Sequence, residues 1–478
     1  MTQQQLHAPA GLAQAVTVAR KAAAQVPAYR ALLAVHHADG ERIDSSSFEA
    51  LPQMTKGNYL TAHSPAQRLR HGEPTVAATW SASSGSSGMP TFWPRDEQAT
   101  ADSVEFFDRI FSEHFRSLDE RVLLVNAFAM GQWVGGIYTY EGVRGLRELG
   151  HQISVATPGM NVDAVLAWLS GVGDQYDSVV LAGYPPFVKQ VLQESPPALR
   201  KGIKILLAGE TITEAWRDSV HRLVGADTEL QSCLLYGTAD AGVMGFESRL
   251  TQTIRRLAVI GSPLADDLYG PAVSVAPTFV EYDPYRRYVE VDTSDGGDGY
   301  LLFTIDGAAP LVRYRINDTG RILDAGALAE ILRANGFDEL AGAVPPHAAY
   351  LVLFGRTDVA ATFYSANIYP QPLHAVFDDV ALAQRVSGRF VITSTDGADA
   401  APQLVVGVEL AIGADPDECL RTHLVQACSA ALANGNSEYR SLLDTHGPAA
   451  LPVIEFCDYG AFAAGDAQVK HRWVGGAR

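Results

Sequence analysis

Residues 178–207 read SVVLAGYPPFVKQVLQESPPALRKGIKILL, and this stretch decides the fold class. SVVLA (178–182) and IKILL (203–207) are short, mainly apolar runs, as expected of strands buried on both faces. Pro186–Gln193 between them has helical spacing. Working outward, Arg121–Ala127 (RVLLVNA) and His151–Ala156 (HQISVA) are further strands, while Gly135–Leu149, Val162–Ser170 and Thr213–Val224 read as helices. Strands alternating with helices predict βαβ units and a mainly parallel sheet. Upstream, residues 10–36 form a helical pattern broken by Pro27, and residues 97–116 an amphipathic helix with Val104, Phe107, Ile110, Phe111 and Phe115.

Beyond this core the texture changes twice. From about residue 270 to 325 the pattern is β-rich, with Val289–Val291 and Tyr300–Thr304, which suggests a smaller β subdomain. After Gly355-Arg356, residues 388–395, 403–411 and 451–457 read as strands and 416–433 as a helix. The expectation is an α/β protein in two domains. Residues 1–357 form a large N-terminal α/β domain with a β subdomain, and 358–478 a small C-terminal α+β domain.

The composition excludes several roles. Of 478 residues, 47% are hydrophobic and 19% charged, so wholesale disorder is ruled out. The net charge of −18 repels phosphate backbones and anionic lipid, so neither a nucleic acid nor a membrane is an expected partner. A nucleotide still fits, because local backbone N–H groups and a metal outweigh net charge. The cysteines at 233, 419, 428 and 457 form no zinc pattern. With no signal peptide and no apolar run of about 18 residues, a cytoplasmic protein is expected.

Five segments carry candidate chemistry. WSASSGSSGMPTFWPRD (80–96) packs Ser83, Ser84, Gly85, Ser86, Ser87 and Gly88 between two β-type runs. Glycine frees the backbone and serine adds donors, so such a loop can wrap phosphate oxygens; a flexible linker is the alternative. It is not a Walker A loop, because Met89-Pro90 follow Gly88. LLYGTADAG (234–242) is an apolar strand ending in polar groups, where ligands bind in parallel sheets. Tyr236 there could stack on a base and Asp240 could hold Mg²⁺; an ordinary turn is the alternative. PLVRYRIND (310–318) alternates Arg313, Tyr314 and Arg315, as a charged edge strand also would, and ends in Asp318, an acceptor for ribose hydroxyls. FGRTDVAATFYSANIYP (354–370) marks the boundary between domains. VKHRWV (469–474) places one lysine near the C-terminus, where a solvated tail is the usual reading. Gly171-Val172-Gly173 lacks the third glycine of a dinucleotide fingerprint, and no G-x-S-x-G elbow occurs.

In order and spacing these segments resemble the adenylate-forming superfamily of acyl-CoA ligases, and in particular its phenylacetate-CoA ligase-like branch. SSGSSGMPT resembles the branch's SSGTTGKPT loop, and Ala208–Glu210 (AGE) its GAE/GGE motif. YGTADAG resembles YGxTExG, PLVRYRIND resembles PLIRYRTGD, GRTD the hinge motif and NIYP the NVFP motif. VPAYRALL and LPQMTKGNYL match N-terminal patterns, and AFAMGQWVGG (127–136) resembles the glycine-rich acyl-pocket segment. The resemblance covers nearly the whole chain.

It implies that a carboxylic acid and ATP form an acyl-adenylate and pyrophosphate, and that the acyl group then passes to CoA. A carrier-protein thiol or an amine is the rival acceptor, and a nucleotide-binding homologue without catalysis the rival class. The implied catalytic residues are Lys470, on a mobile C-terminal lid, and Asp240, which also holds Mg²⁺. Ser83 to Gly88, Gly209, Glu210, Tyr236, Gly237, Thr238, Asp318 and Arg356 would bind the nucleotide. Asp358 would be the hinge. Phe128, Trp133, Gly135, Gly136, Tyr138 and Ala208 would line the acid pocket, whose aromatics favour an aryl or arylalkyl acid. The chain departs from the branch at Asp240 for Glu, Ser365 for a glycine that helps admit CoA, His374 for an acidic residue, Tyr300 for Glu and Ser248 for a zinc-site Cys.

Overall fold

The structure, a computed structural model, describes residues 11–82, 91–131, 133–225, 231–271, 273, 275–294, 299–356, 361–363, 366–396, 402–462 and 473–474. Ser83 to Gly88, Asp358, Ser365 and Lys470 lie outside the described residues, as does the side chain of Arg356.

Strands are labelled in chain order. β1 (Thr79–Ala82) and β2 (Phe92–Arg95) form an antiparallel hairpin, with Ala82 opposite Phe92. The loop of serines and glycines thus joins two paired strands, as the β-type flanks predict. β3 (Val122–Asn126), β4 (Ile153–Ala156), β5 (Ser178–Gly183), β6 (Lys204–Ala208) and β7 (Ser232–Thr238) are the parallel strands, in the order β4-β3-β5-β6-β7. Every residue of β3 is buried, as an unbroken apolar run requires.

β8 (Gly242–Phe246) turns back antiparallel on β7, and β9 (Thr278–Tyr282) pairs with β8. β10 (Tyr288–Asp292), β11 (Tyr300–Ile305), β12 (Leu311–Asp324) and β13 (Ala349–Arg356) complete the order β9-β13-β12-β11-β10. Among the described residues this is one eleven-stranded sheet, so the β-rich stretch is its antiparallel half. β12 lies between β11 and β13 and is not an edge.

The chain forms two compact units. The first holds this sheet and comprises residues 1–210, 224–255 and 278–354. One core there packs Ala15, Ala19 and Ala22 of helix Leu12–Gln25 against Leu301, Phe303 and Val312. That helix stops at Val26, and Pro27 opens the next one, Pro27–Val35, at a position where its missing N–H costs nothing. A second core joins Phe107, Ile110 and Phe111 of helix Glu97–Glu113 to Val122, Leu124 and Leu206. Asp96 caps that helix by accepting from the Ala99 N–H at 2.9 Å.

The second unit comprises residues 211–223, 256–277 and 355–478. Its sheet has β16 (Val386–Asp396) antiparallel to β17 (Pro402–Leu410) and β18 (Val453–Cys457) parallel to β17. Helix Glu418–Gly435 buries Leu420, Leu424, Cys428 and Leu432 in its core. Two short strands, β14 (Ala361–Phe363) and β15 (Ala366–Ile368), pair in the same unit. Helix Glu214–Leu223 belongs here too, with Thr213 donating to Asp378 at 2.6 Å. The Trp473 carbonyl accepts from the Ile392 N–H at 2.7 Å, which seats the end of VKHRWV beside β16. Among the described residues no helix is long and apolar enough to cross a membrane.

Candidate active site

The site grows from the C-terminal end of β7, where Tyr236, Gly237 and Thr238 end the strand and Ala239, Asp240 and Ala241 form the turn to β8. Thr238 Oγ1 accepts from the Ala241 N–H at 3.0 Å and closes the turn. Gly242 leaves it at φ +75°, a conformation that side chains resist, and a Cβ there would meet the Tyr138 ring at 3.4 Å. A Cβ on Gly237 would come within 2.9 Å of the Gly242 carbonyl oxygen. The glycines of YGTADAG therefore make a tight hairpin that holds Asp240 at its tip.

Two residues of β12 complete this end. The Tyr314 hydroxyl donates to Asp240 Oδ2 at 2.6 Å, and the Tyr236 hydroxyl donates to the Asp318 carboxylate. β12 reaches both through an irregular register. Leu302 faces Arg315 whereas Tyr300 faces Thr319, so four steps along β12 match two along β11. The surplus falls at Ile316–Asp318, where Asn317 has φ 70°. Such bulges re-aim side chains beside functional sites, and this one brings the Asp318 carboxylate to Tyr236. Arg313 also has a positive φ, and its guanidinium pairs with Glu290 at 3.1 Å. The Arg315 guanidinium lies 3.4 Å from the centroid of Tyr300, the residue that stands where the branch has Glu.

The neighbouring parallel strands end in the remaining candidates. Ala208 ends β6, Gly209 follows at φ +96°, and Glu210 accepts from the Tyr184 hydroxyl at 3.0 Å. At the end of β3, Asn126 is fully buried and binds both ends of the next loop. Its amide donates to the Gly136 carbonyl at 2.8 Å, and its oxygen accepts from the Phe128 N–H at 3.3 Å. A Cβ on Gly136 would come within 2.4 Å of the Ala129 carbonyl oxygen, and Gly135 faces Phe128. Phe128 and Tyr138 are buried in the second core of this unit. Trp133 is half-buried and bridges to Ala82, the last residue before the serine loop.

Sequence reasoning missed Tyr314, Tyr184 and Asn126, and two arginines, Arg68 and Arg95. Arg95 follows Trp93-Pro94 on β2. Its guanidinium donates to the Ala239 carbonyl at 2.6 Å and lies 5.9 Å from the Tyr138 ring centroid. Arg68 is buried and lies 5.9 Å from the centroid of Trp93, whose ring edge meets Tyr314. Burial holds both guanidiniums below the ordinary arginine range. Tyr59, Tyr314 and Asp240 oppose this at Arg68, and Tyr138 and Asp240 at Arg95. No local motif marks either arginine, because their importance comes from what surrounds them.

Asp240 brings one carboxylate, already bonded to Tyr314, into the field of two guanidiniums. Among the described residues no group of three His, Cys, Asp or Glu could hold a metal. Mg²⁺ is commonly held by one or two carboxylates together with substrate phosphates and waters, and Asp240 offers one such carboxylate. Another constellation has the outline of a hydrolase triad, with Ser117 Oγ 2.6 Å from His151 Nδ1 and His151 Nε2 2.7 Å from Asp108. Ser117 is fully buried, so it offers no nucleophile to a substrate.

No protein-family model matches the sequence, and no curated protein matches it. Solved structures do resemble it. A 2-hydroxyisobutyryl-CoA ligase in the postadenylation state, in complex with 2-HIB-AMP, is 18% identical with a TM-score of 0.67, over 97% of this chain and 88% of that one. The acyl acid amido synthetase AtGH3.15, in complex with 2,4-DB, is 14% identical with a TM-score of 0.63, over 98% and 91%. At such identities the likeness is one of fold. It takes in nearly the whole chain, the sheet with its polar strand ends and the C-terminal α+β unit alike, and the protein has the fold of the adenylate-forming enzymes.

Proposed function

We propose that the protein activates a carboxylic acid, with an aryl or arylalkyl acid favoured, by ATP-dependent formation of an acyl-adenylate and passes the acyl group to CoA. The observation that carries this reading is the convergence of Tyr236, Asp318, Asp240 and Glu210 at strand ends of a sheet with the adenylate-forming fold. A carboxylate oxygen of the acid attacks the α-phosphorus of ATP. The bond to the β-phosphate breaks in line, and pyrophosphate leaves. The protein's task is to place the two reactants and to neutralise charge on the leaving oxygens.

In this reading Tyr236 packs the adenine and Asp318 accepts from the ribose hydroxyls. The serine loop Ser83 to Gly88 binds phosphate oxygens, together with Gly209, Glu210, Gly237 and Thr238. Lys470 supplies charge to the transition state, Asp358 is the hinge, and Arg356 serves ribose or phosphate. Phe128, Trp133, Gly135, Gly136, Tyr138 and Ala208 border the acid. The test is pyrophosphate release from ATP across a panel of aryl, arylalkyl and short aliphatic acids. Release stimulated by no acid, with ATP bound, would leave a nucleotide-binding protein without catalysis.

Asp318→Ala weakens ATP binding by about 1.5–3 kcal/mol, the worth of hydrogen bonds to a charged group, or roughly one to two orders of magnitude in Kd. Calorimetry checks this. Tyr236→Phe keeps the ring but removes the hydroxyl from Asp318, so its loss is smaller. Unchanged affinity in Asp318→Ala would make the residue a structural member of β12.

The acceptor has a second reading, in which a carrier-protein thiol or an amine takes the acyl group. It is favoured by Ser365, a side chain where the branch has glycine, and by the likeness to an acyl acid amido synthetase. His374, the other departure, packs its ring 4.4 Å from Trp473 and 5.2 Å from Phe390, so in this chain it helps seat the C-terminal segment. With acyl-AMP formed in place, CoA, a carrier protein and simple amines are offered separately. Thioester formation with CoA is expected to be slow and to speed up in Ser365→Gly. Acyl transfer to an amine or carrier alone, in both forms, would establish the second reading.

A further inference from the structure

Two tyrosine–aspartate hydrogen bonds cross the site in opposite senses. Tyr236 on β7 donates to Asp318 on β12, and Tyr314 on β12 donates at 2.6 Å to Asp240 in the turn that follows β7. In the sheet, β13, β9 and β8 lie between these two strands, so neither bond follows from strand pairing. Tyr314 is held from several sides. It is 2% exposed, and its backbone stands opposite Phe303 of β11. Met54 bridges it as well, accepting from the Arg315 N–H at 2.9 Å and donating to the Arg313 carbonyl at 3.2 Å. Its ring meets the edge of Trp93, with centroids 6.3 Å apart. Packing therefore fixes the hydroxyl at the tip of the turn that Thr238 and Gly242 close. A phenol is a neutral donor. It can fix the direction of a carboxylate and leave the negative charge in place, whereas an arginine partner would offset that charge.

We propose that Tyr314 is a positioning residue for adenylation, and that its hydroxyl aims the Asp240 carboxylate at the divalent cation that accompanies ATP. This rests on the adenylation reading for the identity of the nucleotide. Asp240 supplies one oxygen ligand, and phosphates and waters supply the others. Groups that hydrogen-bond a metal ligand fix its orientation, and their loss weakens the metal even though they do not touch it. The crossed arrangement divides the work. Tyr236 holds the carboxylate assigned to the ribose, and Tyr314 holds the one assigned to the metal. Asp318 and Tyr314 both belong to β12, so one strand places the ribose acceptor and orients the metal ligand.

The experiment measures two affinities on the full chain. Calorimetry in EDTA gives the affinity for metal-free ATP, and electron paramagnetic resonance gives the affinity of Mn²⁺ for the protein–ATP complex. The proteins are wild type, Tyr314→Phe, Asp240→Ala, the double variant and Tyr236→Phe, each first checked for a cooperative thermal transition. Phenylalanine keeps the ring and its packing against Trp93. Tyr314→Phe is expected to weaken Mn²⁺ by roughly 10–100-fold and to leave metal-free ATP within about twofold. Asp240→Ala weakens Mn²⁺ at least as much, and adding Tyr314→Phe to it costs nothing further, because the hydroxyl then has no carboxylate to hold. Tyr236→Phe does the opposite of Tyr314→Phe, weakening ATP in EDTA and sparing Mn²⁺. In acid-dependent pyrophosphate release, Tyr314→Phe raises the half-saturating Mg²⁺ concentration more than it lowers the rate at saturating Mg²⁺. Unchanged Mn²⁺ affinity in Tyr314→Phe overturns the proposal, and so does an equal loss of Mn²⁺ and metal-free ATP. A full further loss on adding Tyr314→Phe to Asp240→Ala also overturns it. If that happens while pyrophosphate release still depends on an acid, the adenylation reading stands alone. Mn²⁺ bound through Asp240 and Tyr314 to a protein that binds no ATP would keep the positioning role and remove the adenylation reading.

Discussion

Lys470→Ala is expected to slow acid-dependent pyrophosphate release by two to three orders of magnitude while ATP binding changes little. The residue lies in VKHRWV, at the position where the resemblance places a catalytic lysine. A charge contact made only in the transition state lowers the barrier without tightening the ground state. Its removal should cost about 2.7–4 kcal/mol, by analogy with the loss of an oxyanion-hole donor. The segment just beyond it is tied down. Trp473 is 8% exposed, its carbonyl is bonded to Ile392, and its ring packs on His374 and Phe390. Single-turnover measurement of pyrophosphate at saturating ATP separates chemistry from binding. A wild-type rate in this variant would return Lys470 to the role of a solvated surface lysine.

The second large effect is on stability. Glu247 and Arg255 are 0% and 1% exposed, with Oε1 and Nη1 3.7 Å apart. Glu247 Oε2 also accepts from the Leu234 N–H at 3.1 Å, which ties the start of helix Arg249–Leu257 to β7. Removing one member of a buried pair takes a compensating charge away from the other in a low-dielectric interior. Glu247→Ala should therefore lower the unfolding free energy by about 3–5 kcal/mol. Glu247→Gln keeps an acceptor for Leu234 and should lose less. Urea unfolding followed by tryptophan fluorescence measures both, with the midpoint moving and the slope preserved. A change below about 1 kcal/mol would match an exposed pair and would show that other groups meet the charge of Arg255. The consequence for the site is direct, because β7 carries Tyr236 and leads into Asp240.

Local sequence chemistry had already indicated much of this. Period and run length identified the parallel strands, because an unbroken apolar run such as VLLVN is stable only where both faces are covered. Pro27 set the break between the first two helices, since a ring in place of an N–H is tolerated only in a first turn. Asp96 capped Glu97–Glu113 through its own short side chain. The polar end of β7 was legible as a ligand-facing place from strand polarity alone.

Other features required the tertiary structure. That β9 to β13 extend the same sheet depends on pairings between distant segments, which local periodicity does not encode. The bulge at Asn317 follows from the register that β12 adopts against β11, and that bulge delivers Asp318 to Tyr236. Asp240 shows the difference most clearly. By residue type it is an oxygen ligand for a cation. Folding brings Tyr314 to it from a distant stretch of chain. By itself, then, the sequence determined the alternation of strands and helices, the turns and the kinds of polar group at the strand ends. Only the tertiary structure decided which charges share a buried space, because an electrostatic role depends on distance and desolvation, and the chain sets both only when it is packed.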